Sequence, residues 1–353
     1  MHYTQTNALK EQTALEFIEV PVPEHAGVSS WTVCDETVYY AINYMDYLSD
    51  HEGKGAVQPT QEHASRILSY DTKSGETSIL YQAEGVIEMS DVCADGEILV
   101  WEEYPRLENM PWCIKMLSLT DRESKAETIF SDSDTDGELW SIVLSLTEEK
   151  IYWYDQSDTE KFVHPISLYQ YDLKSGEIMV DKQKIDLSSP YEQVSVIDRQ
   201  MCTYRMDSVV DSIDAKTSEI YIDDIQTGEQ ITVSVSTKVM RPVANEDYCI
   251  WGESYESNDV LWVYDRQTKQ SACVSLAELG GKFSYTLLED WIIISTHRGL
   301  WCLEPETQTY TNLLMFGEKY NYGYLWHNLD GSVAMETAYS DKEFCIVNIK
   351  KAG

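Results

Sequence analysis

One hairpin pattern recurs along this chain and constrains its fold more than any other feature. Each copy has a run of alternating apolar and polar residues, a polar turn and a second alternating run, which is the pattern of two half-buried strands. Four copies are clear: RILSYDTKSGETSIL at 66–80, SLYQYDLKSGEIMV at 167–180, EIYIDDIQTGEQITV at 219–233 and VLWVYDRQTKQSACV at 260–274. In three of them Gly75, Gly176 and Gly228 occupy the turn position where a positive φ is needed.

Three weaker copies complete the series, and together the seven predict the fold. The equivalent turn residues recur every 39–52 residues, at Asp71, Thr120, Asp172, Asp224, Asp265, Glu304 and Asn348. A second hairpin precedes each copy, such as VCDETVYYA and VCADGEILVW, so each unit has four strands. Four-stranded units at this period are the blades of β-propellers. We therefore predict an all-β, seven-bladed β-propeller of four-stranded antiparallel blades. Six or eight blades are the alternatives if a weak copy is misread.

The two ends of the chain predict how the ring closes. The segment ALEFIEVPV at 14–22 is a strand without a neighbouring hairpin, and the last unit stops after its third strand. An open sheet edge is a liability, so we expect the N-terminal strand to complete the last blade. No region lies outside the ring, which predicts a single domain over residues 1–353.

The turns also carry a family resemblance. YDTKSGE at 70–76 and YDLKSGE at 171–177 resemble the hairpins of TolB-like and related bacterial β-propellers. The resemblance covers the whole chain at the level of architecture. Members of that broad group include binding modules, assembly scaffolds and enzymes, so the resemblance implies no particular function and no site residue.

The charge of the chain excludes some partners. It has 26 Lys and Arg against 61 Asp and Glu, a formal net charge of −35. Such a field repels phosphates and anionic lipids, which argues against nucleic acid and membrane surfaces as partners. No apolar run is long enough for a spanning helix, which argues against membrane insertion. Cations, cationic peptides and neutral sugars remain compatible, and we expect a monomer.

The cysteines and the N-terminus bear on the compartment. Eight cysteines are scattered in strand-like apolar runs with no C-x-x-C pair, so we expect buried free thiols. The first residues contain no signal-peptide pattern. Both features predict a cytoplasmic protein. An exported or anchored ectodomain whose targeting segment has been removed is the alternative.

The connections of the predicted blades differ in length between the two faces of the ring. Those between second and third strands are long, at 43–65, 101–112, 154–165, 204–218 and 251–259, whereas the opposite turns are short. Structured loops of this length are usually functional, which predicts a ligand-binding face, here called the long-loop face. The alternative is that long surface loops are tolerated because closing them costs little extra entropy.

Blades two to five repeat an aromatic residue followed by a polar or charged one on this face. Aromatics alternating with carboxylates around a channel mouth suit a sugar, a cationic group or a peptide. Buried Trp and Tyr are also common in β cores, so packing between blades is the alternative. The candidate ligand-binding residues are Trp101, Glu102, Glu103, Tyr154, Asp155, His164, Tyr204, Arg205, Trp251, Glu253, His297 and Arg298.

An acidic stretch, SDSDTDGELW at 131–140, suggests a metal site. Asp132, Asp134 and Asp136 with Gly137 match the first half of a calcium loop. Val143 stands where such a loop needs its bidentate Glu. The stretch also matches the Asp-box of sialidases imperfectly. We keep calcium as a minor hypothesis for a loop that joins blades two and three.

The sequence favours a binding module over an enzyme. It has no G-x-S-x-G, H-E-x-x-H, P-loop or G-x-G-x-x-G motif. The leading hypothesis is a binding or interaction propeller that takes a polar small molecule, a glycan or a peptide or protein on the long-loop face. The alternative is a carbohydrate-active enzyme, a polysaccharide lyase or glycoside hydrolase, with its site at the channel mouth on that face. With 61 acids, catalytic carboxyl pairs cannot be selected from spacing alone.

Overall fold

The computed structural model describes most of the chain. The described residues are 3–44, 63–84, 87–105, 112–121, 123–131, 144–147, 149–156, 164–187, 195–197, 200–206, 218–236, 239–253, 259–281, 284–317, 323–328, 330–338 and 344–352.

The N-terminal part contains two strands and a short helix, and the rest of the chain forms seven successive sheets. The N-terminal elements are β1 (Thr4–Gln5), α1 (Ala8–Glu11) and β2 (Thr13–Val20). Blade one is β3 (Gly27–Cys34), β4 (Thr37–Asn43), β5 (Arg66–Asp71) and β6 (Thr77–Gln82). Blade two is β7 (Ile87–Ala94), β8 (Ile98–Pro105), β9 (Cys113–Ser118) and β10 (Glu127–Ser131). Blade three is β11 (Ser145–Leu146), β12 (Lys150–Gln156), β13 (His164–Asp172) and β14 (Ile178–Leu187).

The remaining blades follow the same order. Blade four is β15 (Ser195–Ile197), β16 (Gln200–Met206), β17 (Ser218–Asp224) and β18 (Gln230–Val235). Blade five is β19 (Met240–Ala244), β20 (Tyr248–Gly252), β21 (Val260–Asp265) and β22 (Gln270–Ser275), followed by a 3-10 helix (Ala277–Leu279). Blade six is β23 (Ser284–Leu288), β24 (Trp291–Ser295), β25 (Gly299–Glu304) and β26 (Thr309–Met315). Blade seven contains β27 (Leu325–His327), β28 (Val333–Ala338) and β29 (Phe344–Lys351).

The fold is a seven-bladed β-propeller, as predicted. Within each blade the strands pair antiparallel in chain order. First strands of neighbouring blades contact one another, for example β3 with β7 and β19 with β23, so the first strands surround the central channel. Buried apolar clusters lie between adjacent blades, such as Leu99 and Trp101 packed with Ala41 of blade one. The alternation along each strand therefore fills the spaces between blades.

The predicted closure of the ring is confirmed. Strand β2 pairs antiparallel with β29 along its whole length, from Thr13 opposite Lys351 to Val20 opposite Phe344. It is the outermost strand of blade seven, and Ile18 and Val20 are buried. The segment before β2 was not predicted to be ordered. Strand β1 pairs parallel with β26 as a fifth strand of blade six, and Leu9 of α1 is buried between blades six and seven.

The repeated turns have the predicted backbone. Gly75, Gly176 and Gly228 have φ values of 73°, 71° and 71°. In each turn the Asp at the head accepts hydrogen bonds from two backbone N–H groups, as Asp172 does from Lys174 and Ser175 at 3.0 and 2.7 Å. Side-chain acceptance of this kind stabilises an Asx-turn. The eight cysteines are free thiols, and five of them are buried. Among the described residues, no helix has the length and apolar character needed to cross a bilayer.

Candidate functional site

The two aromatic candidates with described side chains pack between blades. Trp101 in β8 is fully buried and its ring lies 4.9 Å from that of Tyr81 in blade one. Trp251 in β20 is 1% exposed and stacks on Trp262 with ring centroids 6.1 Å apart. Trp101 and Trp251 therefore both pack between blades, which is the alternative to an aromatic lining of the channel mouth.

Glu102 and Glu103 are not loop residues. The long connection of blade two begins later than predicted, because β8 continues to Pro105. Both carboxyl side chains are buried, at 0% and 2% exposure, and neighbouring residues of a strand point to opposite faces. Glu103 lies on the side of blade one and Glu102 on the side of blade three.

Glu103 has a complete set of partners. Its Oε1 accepts a hydrogen bond from Trp101 Nε1 at 3.1 Å, and its Oε2 lies 3.3 Å from Lys115 Nζ. Lys115 Nζ also donates to the hydroxyl of Tyr81 at 2.8 Å. A buried carboxylate needs such partners to offset its lost hydration. This arrangement stabilises the contact between blades one and two.

Glu102 has a different environment. Its Oε2 accepts hydrogen bonds from Tyr104 at 2.7 Å and Ser90 at 3.1 Å, while Oε1 has no hydrogen-bond partner among the described residues. Burial, together with the nearby Asp91 carboxyl, raises the pKa of Glu102 well above its usual range. Burial also raises the pKa of Asp91 to about 7, opposed by a hydrogen bond from the Leu144 backbone. The two acids form a coupled carboxyl pair between blades two and three.

No residue pattern in the sequence marks Asp91 as a site residue. It lies in β7 at a bulge, where the pairing with β8 shifts between Ser90 and Cys93, and its φ is 46°. Bulges re-aim side chains, and here the bulge directs an acid toward Glu102. Glycoside hydrolysis needs two carboxyl groups that flank a substrate. Glu102 is fully buried, so this pair does not line a cleft, and the enzyme hypothesis stays a prediction.

Five other candidates are placed by the backbone of their strands, and their side chains lie outside the described part of the structure. Tyr154 and Asp155 are in β12, opposite Leu168 and Ser167 of β13. Tyr204 and Arg205 are in β16, opposite Ile220 and Glu219 of β17. His164 is the first residue of β13, opposite Leu187. These backbone positions lie near the long-loop ends of blades three and four, and a role of these residues in binding stays a prediction.

The last candidates lie on the same face in blades five and six. Glu253 follows β20 and is half-buried. His297 and Arg298 are exposed in the short connection between β24 and β25. Arg298 donates to the carbonyl of Glu278 at 3.2 Å and packs against Gly280, where an added Cβ would meet its Cγ at 2.8 Å. Arg298 thus fastens the 3-10 helix to blade six.

The predicted calcium loop lies outside the described residues. Asp132, Asp134 and Asp136 follow β10 and precede β11 in the sequence. They therefore belong to the connection between blades two and three, where the loop was expected. Within the described ranges, no group of three or more His, Cys, Asp or Glu side chains has a geometry that would hold a metal ion.

The central channel opens as a cavity of 1020 Å³ on the face of the short turns. This face, here called the short-turn face, carries the connections between first and second strands. Thr32, Ala94 and Asn328 line the walls, and Tyr152 and Ile225 also contribute. The volume is at the upper end of the range for ligand pockets. This cavity is therefore on the face opposite the predicted one.

The mouth of this cavity is acidic. Five acids from blades three, five and six line it, against two lysines: Glu149, Glu246, Asp247, Glu289, Asp290, Lys150 and Lys351. Lys351 is paired with Glu289, at 2.8 Å, and with Asp290, and its Nζ lies 4.4 Å from the ring centroid of Trp291. Acids of one sign in a concave site focus a negative potential there. The sequence signal for this rim is an acidic pair in the short turns, as in TEEK at 147–150, NEDY at 245–248 and LEDW at 288–291.

Comparisons with known proteins extend the fold assignment. No protein-family model matches the chain, and no curated protein matches it. The β-propeller domain of the Trilobed protease from Pyrococcus furiosus, described as having an open velcro topology, aligns with a TM-score of 0.62 at 11% identity over 93% of this chain and 98% of that one. The acylaminoacyl peptidase of Pyrococcus horikoshii aligns with a TM-score of 0.58 at 9% identity over 93% of this chain.

Interaction proteins share the same architecture. A chain of the mitotic checkpoint complex aligns with a TM-score of 0.55 at 10% identity, over 95% of this chain and 91% of that one. This chain spans about half the length of the peptidases it matches, with 52% of the acylaminoacyl peptidase covered. Likeness at this level of identity reflects fold alone. The comparisons and the strand order together show that the chain is a seven-bladed β-propeller.

Proposed function

We propose that the chain is a binding propeller whose central channel takes a positively charged polar ligand from the short-turn face. The observation that carries the proposal is the cavity of 1020 Å³ with five acids and two lysines at its mouth. One of the lysines is already neutralised by two of the acids. The other acids of the rim are Glu149, Glu246 and Asp247, and the second lysine is Lys150, whose Nζ donates to Gln170 at 3.1 Å.

The chemistry of the ligand follows from this rim. A cationic group gains from the focused negative potential, and the net charge of −35 steers cations toward the whole molecule. Asn245, Asn328 and Thr147 also line the cavity, and their polar atoms bond within the protein. A basic peptide or a polyamine fits this combination better than a neutral sugar, which gains nothing from the field.

The experiment is a calorimetric titration with penta-lysine, with maltotriose as the neutral probe. We expect penta-lysine to bind and maltotriose to bind at least tenfold more weakly. The variant Glu149→Gln with Glu246→Gln removes two exposed rim charges and should weaken penta-lysine binding about tenfold, or ~1.4 kcal/mol.

A matched variant separates the site from the general field. Glu76→Gln with Glu177→Gln removes the same charge from two exposed outer turns away from the cavity. It should leave the affinity within about twofold, since exposed charges beyond a Debye length are screened at physiological salt. Equal weakening by both variants, or no binding to the wild type, would refute the channel site.

The long-loop face is proposed as a second interaction surface for a glycan, peptide or protein. What supports it is the difference in connection length: β4 and β5 are joined through residues 44–65, whereas β3 and β4 are joined by a two-residue turn. The TolB-like resemblance of the YDxKSGE turns is compatible with such a role. Shortening residues 45–62 to a glycine-serine linker should remove binding on this face while leaving penta-lysine binding intact.

A further inference from the structure

Arg241 lies at the end of the channel opposite the acidic rim, in a strained backbone position. It is the second residue of β19, and the pairing of β19 with β20 shifts between Met240 and Val243. Its φ is 46°. A non-glycine residue in the left-handed region costs about 1–2 kcal/mol, so the surrounding structure must hold it there. The hydroxyl of Tyr285 does so, since it donates to the carbonyl of Met240 at 2.6 Å and lies 3.1 Å from the carbonyl of Arg241.

The bulge aims the Arg241 side chain into the channel. Its Cζ lies 5.3 Å from the ring centroid of Tyr324, which immediately precedes β27 of blade seven. The first strands of blades five and seven border the central channel on either side of blade six, so this contact spans the long-loop end of the channel. A guanidinium at this distance from an aromatic ring makes a cation–π interaction.

The guanidinium lacks the partner that an acidic chain would readily supply. Arg241 Nε is buried and has no hydrogen-bond partner among the described residues. No carboxylate of the described residues forms an ion pair with Arg241. A buried donor left unpaired costs about 1–3 kcal/mol. Two aromatic side chains of blade seven are open: Tyr324 is 45% exposed, and Trp326, two residues further along and so on the same side of the strand, is 48% exposed.

We propose that Arg241, Tyr324 and Trp326 form a binding site for a small carboxylate attached to a flat apolar group. The planar guanidinium fork matches a carboxylate, and the open aromatic faces match a ring or another flat apolar group. The net charge of −35 disfavours multiply charged anions, so a single carboxylate fits better than a phosphate. This site lies at the other end of the channel from the acidic rim. The proposal for the carboxylate site does not depend on the cationic ligand proposed for the rim.

The test uses benzoate, with benzamide as its uncharged analogue, in a ligand-observed NMR titration of the full chain. We expect benzoate to bind with a dissociation constant on the order of 1 mM and benzamide at least tenfold more weakly. Arg241→Gln should weaken benzoate binding about tenfold and leave benzamide binding unchanged. Removing the charge of the protein and removing the charge of the ligand should therefore cost the same guanidinium–carboxylate interaction. Arg241→Lys keeps the charge without the planar fork and should fall between the two.

Two further variants make the result decisive. Arg66→Gln removes an exposed arginine of β5, remote from the channel, and should leave benzoate binding unchanged. Tyr324→Leu keeps Arg241 and removes the ring, so it should weaken benzoate even if Arg241→Gln fails to fold. Equal affinity for benzoate and benzamide, no benzoate binding at a tenfold higher concentration, or full affinity in both Arg241→Gln and Tyr324→Leu would overturn the proposal. Penta-lysine binding in the same samples reports separately on the acidic rim.

Discussion

The indole Nε1 of Trp101 donates a hydrogen bond of 3.1 Å to the carboxylate of Glu103, two residues further along the same strand. The other carboxylate oxygen of Glu103 lies 3.3 Å from Lys115 Nζ, which in turn donates to Tyr81 of blade one. One buried carboxylate thus connects three partners across the contact between two blades.

Removing that carboxylate should destabilise the protein. In Glu103→Gln, Lys115 remains partly buried without its counter-charge, and the side chain of Lys115 is only 19% exposed. We expect a loss of about 2–4 kcal/mol in the free energy of unfolding, below the value for a fully buried pair because Lys115 keeps some contact with water. Chemical denaturation measures this loss. The exposed pair of Lys73 and Glu36 provides the control, and Glu36→Gln should cost less than about 1 kcal/mol. Equal effects of the two variants would contradict the buried role of Glu103.

The Asp91 and Glu102 pair should make stability depend on pH. Burial raises the pKa of Asp91 to about 7, whereas an unfolded Asp titrates near ~3.9, so the folded state holds more protons between these values. The stabilising contribution is fully present below about pH 4 and is lost as the pH rises toward 7, by at most ~1.4 kcal/mol per pH unit per proton. Denaturation of wild type and Asp91→Asn at several pH values measures it. The variant should have a smaller slope, because the carboxyl of Glu102 stays buried and keeps a raised pKa. Identical slopes in both proteins would contradict the role of Asp91.

Ring closure by β2 predicts the effect of N-terminal deletions. Deleting residues 1–23 exposes the whole edge of β29 and removes the buried Ile18 and Val20. Unpaired sheet edges associate with other chains, so we expect oligomers or aggregates in light scattering. Deleting residues 1–12 keeps β2 and removes only β1 and α1. That protein should stay monomeric with a lower melting temperature, because Leu9 is buried and losing such a side chain costs about 2–5 kcal/mol. A stable monomer without residues 1–23 would contradict the closure.

The repeated turns predict a purely conformational effect at Gly228. Its φ is 71°, and an added Cβ would have no atom within 4 Å. Gly228→Ala should therefore cost about 1–2 kcal/mol through backbone strain alone. Gly317→Ala is the control, because Gly317 also has open space around it but no positive φ. It should leave the free energy of unfolding unchanged, and an equal cost at both positions would show that strain is not the cause.

The acidic loop gives a prediction about calcium. If Asp132, Asp134 and Asp136 bind the ion, calcium at about 100 times its dissociation constant stabilises the protein by ~2.7 kcal/mol. Thermal unfolding with and without calcium measures this shift, and Asp134→Ala with Asp136→Ala should abolish it. Glu76→Gln with Glu177→Gln should retain it. No shift in the wild type would end the calcium hypothesis.

The repeat made the architecture predictable from the sequence, because each hairpin carries its own turn chemistry and its own alternation. Closure by β2 followed from the same pattern. The aromatic candidates are ambiguous for a physical reason: the sequence pattern puts Trp101 and Trp251 near predicted strand ends, where either core packing or a channel mouth would favour a large aromatic residue. Only the register of the blades decides between the two.

The buried polar groups were less predictable. Asp91 and Arg241 owe their positions to bulges in β7 and β19, where one residue takes a left-handed conformation. No local residue pattern marks such a bulge, since neither position is a glycine. Glu102 and Glu103 were placed in a loop because two adjacent acids rarely lie inside a strand. Their burial depends on partners from neighbouring blades, which are far away in the sequence.

The pairing of β2 with β29 also has a consequence during protein synthesis. Roughly 320 residues separate the end of β2 from the start of β29. At about 5–20 residues per second, the ribosome needs on the order of tens of seconds to deliver the partner strand. During that time the apolar side chains and the backbone N–H and C=O groups of β2 lack their partner strand β29. In a nascent chain of this protein, β2 is therefore covered only when β29 has been synthesised. A chain released before β29 is made would leave the last blade incomplete and the ring open.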